Sequence, residues 1–130
     1  MLRLYLIRHG ETEWNKEMRF QGRQEIPLNA TGIRQAHLLG KRMAGEEIDR
    51  IYSSDLGRAL ETARIIASYL KDVEIVKEPA FREIDFGLWE GLTFHEREKK
   101  FPADVKRWKE DPVGVSSPGG ESYLLHSARV

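Results

Sequence analysis

The chain predicts an α/β fold layered around a mostly parallel sheet, and three observations carry that expectation. The first is a terminal run, Leu2-Arg3-Leu4-Tyr5-Leu6-Ile7, that is nearly all apolar. A short run apolar on both faces reads as a strand buried on both sides, as at the centre of a parallel sheet. The second is a strand–helix–strand–helix–strand order completed before Pro79, which implies right-handed crossovers with helices packed on the sheet. The third is an ordinary soluble balance over 130 residues, 40% hydrophobic and 32% charged, enough for one domain spanning 1–130 with a single modest core.

The elements follow in order. After the terminal strand the chain turns polar at Arg8-His9-Gly10-Glu11-Thr12. Thr31 opens a helical pattern with Ile33, Ala36, Leu39 or Gly40, and Met43 at helix-face spacing, and Gly45 stops it. Asp49 to Ser54 reads as a second strand. A second helix runs from about Leu56 to Leu70, with Leu60, Ala63, Ile66, Ala67 and Leu70 on one stripe. Val73 to Val76 is a third strand, ended by Pro79. Phe81 to Leu92 has no period and reads as an ordered loop. Thr93 to Lys109 looks like short charged helices anchored by Phe101 and Trp108. Pro112 to Gly120 is rich in Pro, Gly and Ser and reads as irregular. Glu121 to Val130 could begin another helix. There is no internal repeat.

Composition excludes several classes. Lys+Arg and Asp+Glu both count 21, so no net field recruits nucleic acid or an anionic membrane surface, and an anion site must be local. Cysteine is absent, which removes disulfides, thiolate nucleophiles and cysteine-based zinc sites. The first apolar run is too short to span a bilayer and lacks a signal-peptide pattern, so the expected location is the cytoplasm.

Arg8-His9-Gly10 carries the chemistry. A buried parallel strand would deliver these residues to its C-terminal end, where open α/β sheets bind ligands. A neutral histidine is a nucleophile, and an arginine presents a planar fork matched to phosphate oxygens. An isolated Arg-His-Gly would more readily be a surface turn whose His and Arg are merely solvated.

It is not isolated. Leu6-Ile7-Arg8-His9-Gly10-Glu11-Thr12-Glu13-Trp14-Asn15 is followed in order by Phe20-Gln21-Gly22, Pro27-Leu28-Asn29 with Gly32 and Gln35-Ala36, and Tyr52-Ser53-Ser54-Asp55-Leu56 with Arg58-Ala59 and Glu61-Thr62-Ala63. Then come Arg82-Glu83-Ile84-Asp85-Phe86-Gly87, Trp89-Glu90-Gly91, and Pro118-Gly119-Gly120-Glu121-Ser122. Across nearly the whole chain this series resembles the histidine phosphatase, or phosphoglycerate-mutase-like, superfamily. The resemblance implies a three-layer α/β sandwich, metal-independent chemistry with no cofactor, and a small phosphorylated metabolite as partner.

It also implies roles. His9 attacks phosphorus, with its second nitrogen held by an acceptor. Arg8 and Arg58 clamp the phosphoryl oxygens where charge spreads in the transition state. Glu83 is the general acid, which needs burial to raise its pKa, and Phe81, Phe86 and Trp89 could supply the apolar wall. Asp85 is the rival carboxylate. Asn15, Gln21 and Gly22 line the phosphate and the substrate mouth, although Asn and Gly also serve turns. His37 and His95 read as solvated helix residues, and no histidine spacing suggests a metal.

The chain departs from the pattern at one place. The family carries a second essential histidine in a late strand ending in a His-Gly turn, and no such string is present. His126 is the one remaining candidate, but Leu125-His126-Ser127 lacks both the strand and the glycine. The expectation is therefore a C-terminally incomplete version of the fold, with unpaired sheet edges that favour self-association. The compact layout after Glu83 looks like bacterial phosphatases, including α-ribazole-phosphate and broad-specificity enzymes, more than like mutases. A phosphotransferase of the mutase type and an inactive phosphate-binding relic stay open beside it.

Overall fold

The computed structural model describes residues 1–130 and orders them as six α-helices, two strands and two 3₁₀ turns. Helix α1 is Glu13–Lys16 and α2 is Ala30–Met43; strand β1, Arg50–Ser53, leads into α3, Gly57–Ala67, and then β2, Glu74–Lys77. Turns at Pro79–Phe81 and Gly87–Trp89 precede α4, Phe94–Lys100, α5, Pro102–Glu110, and α6, Tyr123–Arg129. No helix is long and apolar enough to cross a membrane.

The α/β class with a parallel sheet is realised by β1 and β2, which pair in parallel with Ile51 opposite Ile75 and Tyr52 opposite Val76. Helix α3 makes the crossover and packs against α2 and both strands. The two helical stripes meet as the periodicity requires. Ala36, Gly40 and Met43 of α2 are buried, as are Leu60, Ala63 and Ile66 of α3. Each large member, fully buried, contributes roughly 1.5–3 kcal/mol. Of the two residues open on α2, Gly40 is the one inside, because a Cβ there would lie 2.3 Å from the Tyr69 ring. His37 stays exposed and its Nδ1 bonds the Tyr69 hydroxyl at 2.9 Å.

The terminal strand is the correction. Leu2 to Ile7 pairs with neither β1 nor β2, and the sheet is two-stranded. Leu2, Leu4 and Leu6 are 91, 74 and 88% exposed. An apolar run states a capacity to be buried, whereas a strand exists only through partners on its edges and layers on its faces. Within these 130 residues nothing supplies them to this run.

A second cluster gathers under the loop after β2. Trp89 is fully buried, as Ile84 and Val105 nearly are, with Trp108 edge-on to the Trp89 ring at 6.1 Å. Trp108 anchors α5 as expected, but Trp89 is the centre of the cluster rather than Phe101. The charged helices α4 and α5 and the terminal α6 appear where the sequence placed them, α4 starting on a Thr93–Glu96 capping box.

Candidate functional site

Close backbone packing sets the Arg8-His9-Gly10 turn. A Cβ on Gly10 would stand 2.4 Å from the Gly32 carbonyl oxygen, and one on Gly32 would stand 2.1 Å from the Glu11 carbonyl oxygen. The start of α2 therefore lies directly on the turn, which only two glycines permit. The Asn29 amide donates to the Glu11 carbonyl at 2.9 Å, and the Asn29 side chain caps α2 through the Gly32 amide. On the other side the Gly10 amide donates to Thr62 Oγ1 at 3.1 Å, and that hydroxyl donates to the Arg58 carbonyl at 2.7 Å. Thr62 stands one helical turn after Arg58, so it ties the histidine turn to the helix that carries the arginine.

His9 Nδ1 lies 2.7 Å from the Gly10 carbonyl oxygen. A carbonyl can only accept, so Nδ1 carries the proton and Nε2 keeps its lone pair. Arg58 Nε donates to that Nε2 at 3.2 Å. Burial lowers the His9 pKa below 6.5 and the Arg58 and Arg8 charges lower it further, against the Gly10 carbonyl and Glu83, which raise it. The ring is held neutral in the tautomer that a nucleophile needs.

Arg58 is 1% exposed. Its Nη1 and Nη2 each donate at 2.7 Å, to the carbonyls of Gln24 and Gly22. Three of its five N–H groups are thus engaged, with two left for an oxyanion. Burial lowers its pKa, and Glu83, Glu25 and Glu90 oppose that shift.

Gly22 faces Arg58 because it sits at φ +52°, and a Cβ would collide with the Glu90 carboxylate at 1.9 Å. Glu90 accepts from the Arg23 amide at 2.9 Å and from Gln24 Nε2 at 2.7 Å, fixing the loop from behind. Thr12 is fully buried; its hydroxyl lies 2.5 Å from Gln21 Oε1 and accepts from the Asn15 amide at 3.2 Å. Asn15 Oδ1 in turn accepts from the Thr12 amide at 3.0 Å. The turn chemistry of Asn15 and Gly22 and their place at the site therefore coexist.

Arg8, Asn15, Gln21, Gly22 and Glu83 share one cleft of about 260 Å³ with Met18, Arg19, Phe20, Phe86 and Phe94. Five of the seven sequence-chosen residues line it, while His9 and Arg58 are not in that lining. Glu83 and Arg8 both bear electrostatically on His9.

Glu83 departs from expectation in one respect. It is exposed rather than buried, with Oε1 accepting from its own neighbour's amide, Ile84, at 3.0 Å. Of the three aromatics expected as its wall, Trp89 turns into the α4–α5 cluster and Phe81 is 43% exposed, while Phe86 shares the cleft with Glu83. Asp85 is absent from the cleft lining, and its Oδ1 accepts from the Gly87 amide at 2.9 Å, which leaves Glu83 as the carboxylate at the cleft.

The Glu83 loop is held at both ends. Arg82 meets Asp55 in a two-point ion pair at 2.7 and 2.5 Å. Arg129 of α6 donates to the carbonyls of Ala80, Arg82 and Glu83 and to Glu121. Glu121 also accepts from the Asp85 amide at 3.0 Å. His126 packs beside Glu121, its Nδ1 3.8 Å from Oε1. Sequence reading missed the supporting roles of Thr62, Glu90, Glu121 and Arg129. Thr62, Glu90 and Glu121 stood inside the matched motifs, Thr62 also at one-turn spacing from Arg58, whereas Arg129 carried no signal. No three histidine or carboxylate side chains converge as they would for a metal ion.

The chain is similar to known proteins throughout. The family model described as "Histidine phosphatase superfamily (branch 1)" matches residues 4–130. Phosphoserine phosphatase 1 of Hydrogenobacter thermophilus is 43% identical over all of this chain and 61% of its own length. The probable phosphoglycerate mutase GpmB of Yersinia pestis is 40% identical over 94% of this chain and 56% of its own. The crystal structure of the α-ribazole phosphatase from Shigella flexneri superposes with a TM-score of 0.88 at 30% identity, covering 95% of this chain and 60% of that one. The chain thus spans about three fifths of the length of the relatives it matches.

Proposed function

Because the chain belongs to the histidine phosphatase superfamily, branch 1, we propose that it hydrolyses a phosphomonoester through a phosphohistidine on His9. The observation that carries this is the pairing of His9 Nδ1 with the Gly10 carbonyl, which leaves Nε2 as a lone pair facing Arg58. Nε2 attacks phosphorus and the bond to the ester oxygen breaks. Arg8 and the two remaining Arg58 N–H groups take the charge that spreads over the phosphoryl oxygens. Glu83, exposed until a substrate alcohol covers it, gives a proton to the departing alkoxide, and its carboxylate then takes one from the water that cleaves the phosphohistidine. Asn15, Gln21 and Gly22 shape the cleft around the transferred group. No metal or cofactor takes part. α-Ribazole 5'-phosphate and a broad range of monoesters are the candidate substrates.

Hydrolysis of p-nitrophenyl phosphate by the wild-type chain and its loss in His9→Ala tests this reading. Two alternatives have observations behind them. Similarity to a probable phosphoglycerate mutase favours a phosphotransferase, which would pass the group to a second alcohol rather than to water. The Arg58 Nε–H seated on the His9 Nε2 lone pair favours a phosphate-binding protein without turnover. Product analysis separates all three. The exposed Leu2, Leu4 and Leu6 further support self-association, which light scattering would report.

A further inference from the structure

Arg97 is 2% exposed, and its Nε and Nη1 have no hydrogen-bond partner. A buried cation without a carboxylate is costly unless something else stabilises it. Here aromatic faces do. The guanidinium lies 4.6 Å from the Trp89 ring centroid, 4.9 Å from Phe20, and 5.3 Å from both Phe94 and Trp108. A planar, weakly hydrated cation stacks on several rings at once, which an ammonium does not.

Two of those rings belong to the phosphate cleft. Phe20 and Phe94 line it, 4.9 Å apart, and Phe86 joins Phe20 edge-on at 5.0 Å. Phe94 is 59% and Met18 70% exposed, so the cleft offers an open apolar wall continuous with Arg8, Asn15, Gln21 and Gly22. The cleft's other cation is already committed: Arg19 pairs with Glu17 at 2.6 Å and with Glu96 at 2.9 Å. A substrate alcohol bearing its own carboxylate would find no free partner there, whereas an aromatic one would cover the exposed rings.

We propose that Arg97 is a positioning residue that holds Phe20 and Phe94 as the apolar wall of the cleft, and that this wall takes the aromatic or apolar alcohol of the phosphomonoester. The proposal rests on the phosphate-site reading above, and the experiment separates the two. Dissociation constants for phenyl phosphate and methyl phosphate are measured by calorimetry in a His9→Ala background, which cannot turn them over, for the otherwise wild-type chain and for Arg97→Met, Arg97→Lys and Phe94→Ala. Both ligands carry the same phosphate; only the first reaches the wall. The wild-type chain is expected to prefer phenyl phosphate about tenfold, as for partial burial of one ring. That ratio should fall toward one in Arg97→Met and in Phe94→Ala, with little recovery in Arg97→Lys. A purely structural role would weaken both ligands together. Failure of wild type to bind either ligand would overturn the phosphate site and this proposal with it. Methyl phosphate binding with no preference for phenyl phosphate would overturn the wall alone. Should Arg97→Met not fold, Phe94→Ala decides, because Phe94 is exposed and its loss spares the core; an unchanged ratio there overturns the proposal.

Discussion

Arg58 Nε points its N–H at His9 Nε2 across 3.2 Å, from a guanidinium whose two ends are fixed to the carbonyls of Gly22 and Gln24. The arginine is therefore oriented before any substrate arrives, and the one bond that must give way for attack is its Nε–H on the Nε2 lone pair. Preorganised donors of this kind are where most catalytic stabilisation resides. Arg58→Ala is expected to lose about 2–4 kcal/mol of transition-state stabilisation in kcat/KM. Arg58→Lys should recover little of it, since lysine lacks the fork. Near-wild-type kcat/KM in Arg58→Ala would reduce this arginine to a structural tie.

The pH profile follows from His9. Its folded pKa lies below 6.5, first through burial and then through the Arg58 and Arg8 charges. The neutral, reactive ring therefore persists into mildly acidic solution, and the acid limb of kcat/KM should fall below 6.5. Removing the exposed cation in Arg8→Ala withdraws one lowering influence, so NMR titration of the His9 ring should show an upward shift. A downward shift would contradict the electrostatics described here.

Acid stability is governed in part by Glu121, held down to about 2 chiefly by the Arg129 hydrogen bond and also by the Asp85 amide and Arg23. A depressed carboxylate stabilises the fold above its ordinary value of 4.5 and loses that contribution as pH falls toward about 2. Urea unfolding of wild type should thus weaken between pH 4.5 and 2, and Glu121→Gln should show a shallower decline over the same window. Equal slopes would show that other carboxylates dominate.

Gly10→Ala is expected to destabilise the chain by about 1–3 kcal/mol, as overpacking does, because its Cβ would meet the Gly32 backbone at 2.4 Å. Thermal melts check this. Gly45→Ala, where nothing lies within 4 Å, serves as the control and should leave the melting temperature nearly unchanged.

Much of this was legible in the sequence, for identifiable reasons. The α2 and α3 stripes follow from helix geometry, which is local, and both helices form within a few residues of their expected ends. His9, Arg8, Asn15, Gln21, Gly22, Arg58 and Glu83 came from motifs, and five of them share one cleft. What failed was non-local. Leu2 to Ile7 has a strand's composition but no strand beside it, and of the aromatic neighbours of Glu83 in sequence only Phe86 shares its cleft. Arg129 and Arg97 gave no signal because their meaning lies in partners far along the chain: the Glu83 loop for one, Phe20 for the other.

The most direct test of the account is to trap the intermediate. Rapid-quench mixing with a ³²P-labelled phosphomonoester should leave a label that is lost in acid, survives base, and maps to His9 by peptide analysis. The same experiment on His9→Ala should give no label. A label on any other residue, or turnover that persists in His9→Ala, would contradict the assignment of His9 as the nucleophile.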